Sequence, residues 1–145
     1  MALKKSRAVS AKGILEYRLR GARGLPLGSS LVCADNSGAK KLSVIQVVRY
    51  GGRLRRIPSA NVGSLVSVSV KEGPPDLKGQ IFFAIVIRQK FPFRRREGIR
   101  ISFEDNAAVL VTREGDLKGT EIRGPVAREA ADMWPKLAAM ASIIV

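Results

Sequence analysis

Two stretches of the chain concentrate side chains able to grip phosphate. Residues 49–58 read RYGGRLRRIP, with Arg49, Arg53, Arg55 and Arg56 set around a Gly-Gly pair. Residues 88–100 read RQKFPFRRREGIR and hold Arg88, Lys90, Arg94, Arg95, Arg96 and Arg100 against one acid, Glu97. Guanidinium groups meet phosphate oxygens two at a time, and lysine adds a mobile point charge. Lys40 and Lys41 extend the same chemistry upstream. A charge run is most often just a solvated face. Two such runs plus a basic N-terminal segment, with few acids between, point instead to a polyanionic partner. Phe91 and Phe93 interleave with the second run and could stack on bases. Pro92 between them favours a turn that needs a lid, so local packing is the expected role.

Other chemistry is weaker. Glu104-Asp105-Asn106 is the one feature resembling a cation site, since adjacent acids can hold a metal that activates water. Successive strand residues point to opposite faces, so the two carboxylates would not converge without a bend. A turn is expected there, its acids paired with Arg94–Arg96 or Arg100. The chain has no His, which removes the Ser-His-Asp triad and imidazole ligation. Cys33, the only cysteine, lies between Val32 and Ala34 and reads as a small buried hydrophobe. Gly115, Gly119 and Gly124 are too widely spaced for a phosphate loop. No metal, cofactor or catalytic residue is expected.

The elements that must position these bases are strands. The chain has 145 residues and a formal net charge of +14, room for one domain with short extensions. Residues 1–100 carry a net +16 and residues 101–145 a net −2. Residues 1–28, rich in Lys, Arg and Gly, read as a basic extension, and residues 29–145 as one domain. Leu31–Ala34 is a short apolar run closed by the turn formers Asp35-Asn36-Ser37-Gly38. Residues 40–49 and 107–112 are β-branched or apolar runs, and 80–88 is continuously apolar. In residues 62–71, Val66, Val68 and Val70 alternate with Ser67 and Ser69, as one buried and one wetter face require. Five strands with short links predict a mainly β fold, a small five-stranded barrel whose closure removes exposed edges. The Gly51-Gly52 turn would form a hairpin tip carrying its arginines beyond the barrel. Gly124-Pro125 then opens a helical stretch that Pro135 divides in two, over about residues 125–142. The longest strictly apolar run, Ile81–Ile87, is far below the ~20 residues of a membrane-spanning helix. The N-terminus lacks the apolar stretch of a secretory leader, and a cytoplasmic location is expected.

Several segments, in fixed order, resemble one family. They are CADNSGAK at 33–40, SVKEGPPDLK at 69–78, AIVIRQK at 84–90, RRREGIRISFEDNAAVLV at 94–111 and KGTEIRGPVAREAADMWPKLA at 118–138. Together they resemble universal large-subunit ribosomal protein fourteen, called twenty-three in older eukaryotic naming. The positions Ala84, Ile85, Val86, Ile87, Gly98, Phe103, Asn106 and Val109 fit that family's signature, while Glu97 stands where a shorter polar residue is usual. The resemblance covers roughly residues 28–145, and RGPVAREAA with the ending ASIIV looks archaeal rather than bacterial. It implies a five-stranded barrel with a protruding β-ribbon and two small C-terminal helices. It also implies a structural, non-catalytic role in the large subunit, bound to large-subunit ribosomal RNA at the face toward the small subunit. Neighbouring ribosomal proteins, small-subunit RNA across a bridge, and an anti-association factor are the further partners it implies. No membrane partner is expected.

The twelve bases named above, from Lys40 to Arg100, are the expected phosphate contacts. The acidic balance after Arg100 suggests that the helical end meets protein, with Glu129, Asp132 and Lys136 on its exposed face and Trp134 and Leu137 sealing one end of the barrel. The rival readings are a free single-strand-binding barrel, disfavoured because bases far outnumber aromatics, and a metal-dependent nuclease resting on Glu104 and Asp105.

Overall fold

Alternation in residues 65–72 sets the geometry of the molecule: Val66, Val68 and Val70 are buried while Ser67 and Ser69 between them are half-exposed. The computed structural model describes residues 21–145. Its strands are β1 (Leu25–Pro26), β2 (Ser30–Cys33), β3 (Lys41–Val47), β4 (Ser59–Ala60), β5 (Leu65–Glu72), β6 (Ile81–Arg88), β7 (Phe93–Arg94), β8 (Arg100–Ile101) and β9 (Ala107–Val111). Two six-residue helices follow, α1 (Arg128–Met133) and α2 (Pro135–Met140).

Five strands close a ring in the order β2-β3-β5-β6-β9. All contacts around it are antiparallel except the closing one, where β2 runs parallel to β9 with Val32 opposite Ala107. The fold is therefore the small barrel expected, and each ring strand matches an expected run to within a residue or two at its ends, apart from shorter extents at β3 and β5.

Two cores explain why β6 before Arg88, and all of β9, lack polar residues. Ala84 and Val86 of β6, with Ala108 and Leu110 of β9, fill the barrel beside Leu42, Val44, Val66 and Val68. Their neighbours Ile85, Ile87, Ala107, Val109 and Val111 face outward, yet are buried beneath Val126, Ala127, Ala130 and Leu137. With period-two side chains, both faces of these strands must be apolar. The helices close on this second core tightly at Gly63 (φ +81°), where a Cβ would lie 2.7 Å from Met133 Sδ. Trp134 crosses the same seam and donates its indole N–H to the carbonyl of Gly63 at 2.9 Å. Trp134 and Leu137 thus pack on the outer face of β6 and β9 rather than sealing one end of the barrel.

Three boundaries differ from the sequence reading. Leu25 is fully buried and β1 pairs with β4, so the folded chain reaches back before Ser29. The rest of the expected basic extension, residues 1–20, lies outside the described residues. Residues 48–58 form no hairpin: β3 ends at Val47 and the chain continues as an exposed loop. Within it Arg49 and Arg55 take left-handed backbone (φ 57° and 60°), a conformation a regular hairpin strand could not accommodate. Besides the β1–β4 pair, the two-stranded ribbon outside the barrel is β7–β8, with Phe93 opposite Ile101 and Arg94 opposite Arg100.

Candidate nucleic-acid interface

Strand registers decide which loops share an end of the barrel. β3 ends beside the start of β5, with Val47 opposite Val66. β6 ends where β9 begins, Arg88 opposite Ala107. β2 runs parallel to β9 and antiparallel to β3, with Ser30 opposite Ser43 and Val32 opposite Lys41, so its start points to the same end. Segments 21–29, 48–64 and 89–106 therefore gather at one end. Together they carry Arg23, Arg49, Arg53, Arg55, Arg56, Lys90, Arg94, Arg95, Arg96 and Arg100, against Glu97, Glu104 and Asp105. The opposite end is built from segments 34–40, 73–80 and 112–121. There Lys40, Lys78, Arg113 and Lys118 are outnumbered by Asp35, Asp76, Glu114, Asp116 and Glu121. Sequence order hides this segregation. A field with one sign at one end orients a polyanion as well as attracting it.

The basic end is held by buried polar contacts rather than by regular pairing. Gln89 is fully buried, and its amide donates to the carbonyls of Ala22 at 3.0 Å and Phe91 at 2.9 Å. Asn106 Oδ1 accepts the N–H of Lys90 at 2.7 Å. The Arg23 guanidinium lies over the Tyr50 ring at 4.9 Å, which ties the first segment to the second. Nothing in a single sequence distinguishes Gln89 from a surface residue. The aromatic pair divides: Phe93 packs in the outer core, while the Phe91 ring is exposed.

The expected phosphate ligands meet different fates. Arg53, Arg55, Arg56, Lys90, Arg94 and Arg100 are exposed at the basic end, and Arg49 and Arg96 are exposed beside them. Lys40 and Lys41 are exposed but lie at the other end, where Lys41 pairs with Glu72 at 3.4 Å. Arg88 is withdrawn from solvent and engaged within the chain. Its side chain is only 9% exposed and grips Asp105 through Nε at 2.8 Å and Nη2 at 3.1 Å. Its Nη1 donates to the carbonyls of Arg123 and Pro125. The fork that suits a phosphate is spent on binding the loop before α1.

That pair also corrects the reading of the acids. Asp105 is held by Arg88 rather than by Arg94–Arg96 or Arg100, and among the described residues no group of three acids, cysteines or histidines is placed to share a metal. Arg95 is likewise withdrawn from solvent: it meets Glu129 with side chains 13% and 15% exposed. Of the residues expected to face a protein neighbour, Glu129 is thus engaged within the chain, Lys136 pairs with Asp116, and Asp132 is exposed.

Asp35, expected only as a turn former, is a buried hub. It accepts the N–H of Leu110 at 2.9 Å and of Ser37 at 3.0 Å, the Ser37 hydroxyl, and the Cys33 thiol at 3.2 Å. Burial, reinforced by this neighbouring carboxylate, pushes the Cys33 thiol up to about 12. A thiol this reluctant to ionise is an inert core group.

Residues 24–145 match the family described as Ribosomal protein L14p/L23e. The chain is 57% identical over 126 residues to the large ribosomal subunit protein uL14 of Thermoplasma volcanium, covering 87% of this chain and 96% of that protein. It is 52% identical over 136 residues to the protein of that name from Nitrosopumilus maritimus, covering 94% and 97%. The uL14 of Methanococcus vannielii is 56% identical over 122 residues, covering 84% and 92%. With the matched region spanning the whole barrel and both helices, the chain belongs to the ribosomal protein L14p/L23e family, as an archaeal-like member.

Proposed function

We propose that the protein is a structural constituent of the large ribosomal subunit that binds large-subunit ribosomal RNA through the basic end of its barrel. The observation that carries this reading is the gathering of ten Arg and Lys against three acids from three segments at one end, while bases and acids nearly balance at the other. Bases presented from a rigid ring neutralise several phosphates together and fix the protein's orientation without reading base sequence. Family membership supports the ribosomal assignment. The exposed face of the helices around Asp132 and Lys136 is assigned to neighbouring ribosomal proteins and to an anti-association factor. Arginines at the rim of the basic end are assigned to the bridge with small-subunit RNA. A cytoplasmic ribosome is the location this implies.

Sedimentation of a lysate from archaeal cells expressing tagged full-length chain tests the assignment. The protein should travel with the large subunit and remain after a low-salt wash, and crosslinks from Arg53–Arg56 and Arg94–Arg100 should fall on large-subunit RNA. Recovery only in ribosome-free fractions would overturn the reading.

A further inference from the structure

The ribbon that carries three exposed arginines is poorly built to stand alone. Its ladder is two residues deep, and Arg94 and Arg100 face each other directly across it. Like charges directly opposed destabilise a strand pair, and even a longer isolated hairpin is marginal in water. The turn is closed by two backbone bonds, Arg95 N–H to Ile99 O at 2.8 Å and Gly98 N–H to Arg95 O at 3.0 Å, with Gly98 in left-handed backbone (φ 89°). Phe93 and Ile101 pack the base of the ribbon on the outer core, and what holds its tip against the rest of the molecule is the side chain of Arg95. Arg95 Nε donates to Glu129 Oε1 at 2.6 Å, Nη2 to Glu129 Oε2 at 3.2 Å, and Nη2 also to the main-chain oxygen of Val145 at 2.6 Å. That oxygen also accepts the N–H of Arg128, and Val145 N–H returns to Val126 O, so the anchor is itself fixed to the start of α1.

We propose that Arg95 is a positioning residue for RNA binding: through Glu129 and Val145 it clamps the ribbon to α1, so that Arg94, Arg96 and Arg100 are held ready for phosphates. The inference rests on the proposed RNA-binding function and assigns Arg95 a role distinct from its exposed neighbours. Preorganisation matters here because each long basic side chain otherwise loses conformational freedom on binding. Glu129, an acid in a nucleic-acid-binding protein, thereby aids RNA binding although its charge opposes it.

The test is a double-mutant cycle in the full chain: Arg95→Gln, Glu129→Gln and both together, with deproteinised archaeal large-subunit RNA as the probe across a salt series. Each single variant should weaken binding by a similar factor, about three- to tenfold, and the double should be no weaker than either, as for groups acting as one unit. The slope of log affinity against log salt should stay at its wild-type value. Hydrogen exchange at the Arg95 and Gly98 amides should quicken in Glu129→Gln while circular dichroism stays unchanged. If Arg95 instead contacts phosphate, Arg95→Gln should reduce the slope by about one unit, while Glu129→Gln, which removes a repelling charge, should bind as well as wild type or better. That pattern overturns the clamp and leaves the RNA-binding function standing. Wild-type protein without salt-sensitive RNA binding would overturn both.

Discussion

Replacing Arg88 with Met should cost stability rather than RNA affinity. The substitution strands Asp105 and frees the carbonyls of Arg123 and Pro125, which hold the chain entering α1. Asp105 is itself 37% exposed, so losing the pair and the two carbonyl bonds costs about 1–3 kcal/mol, readable as a lower denaturation midpoint. RNA affinity, measured at a temperature where the variant is folded, should match wild type. A variant with normal stability and weakened binding would return Arg88 to the RNA surface. Cys33 makes the complementary point with a group of raised pKa. The unfolded thiol ionises near 9.0, the native one near 12, so the native state holds the proton longer. Its contribution to stability is intact below pH 9 and is lost as pH rises from about 9 to 12. Cys33→Ala should flatten that part of the stability profile, and the native thiol should resist thiol reagents at pH 8. Neither the pairing of Arg88 with a carboxylate 17 residues away nor the buried role of Asp35 is legible in a sequence, because both partners are ordinary surface residue types.

At the scale of elements, the two short helices are the outer wall of the barrel. Leu137 is 1% exposed against Ile85, Ile87 and Val109, and six-residue helices cannot persist without such packing. Leu137→Ala should lower unfolding free energy by about 2–5 kcal/mol in a denaturant titration. A loss below 1 kcal/mol would mean that the helices are dispensable to the barrel. The five ring strands could be read from residue types because they obey simple periodicities or run lengths: Val-Ser alternation in β5, continuous apolar runs in β6 and β9. The elements that escaped were β1, β4, β7 and β8, all two residues long. A two-residue ladder has no period to detect, and long-range contacts decide it. The ribbon was expected only through the family resemblance, and the Gly-Gly segment mistaken for a hairpin proved an irregular loop. Candidate bases were legible as types and runs. Which of them are buried was not, since Arg88 and Arg94 look alike until Asp105 and the chain before α1 are in place.

The whole molecule is a charged object with two unlike ends. Net charge alone predicts attraction to RNA from any side. Segregation predicts that position matters. Two double variants separate these cases: Arg53→Glu with Arg56→Glu at the basic end, and Lys40→Glu with Lys41→Glu at the other. Both change the net charge equally, and all four side chains are exposed. The measurement is affinity of the full chain for deproteinised large-subunit RNA from ~50 to ~200 mM salt. Wild-type affinity should fall by orders of magnitude over that range, as expected when several phosphates are neutralised at once. The Arg53/Arg56 reversal should weaken binding at least tenfold and flatten the salt slope by about two units, while the Lys40/Lys41 reversal should leave the slope within half a unit of wild type. Equal losses from the two variants, or a larger loss from Lys40/Lys41, would contradict the assignment of RNA binding to that end of the barrel.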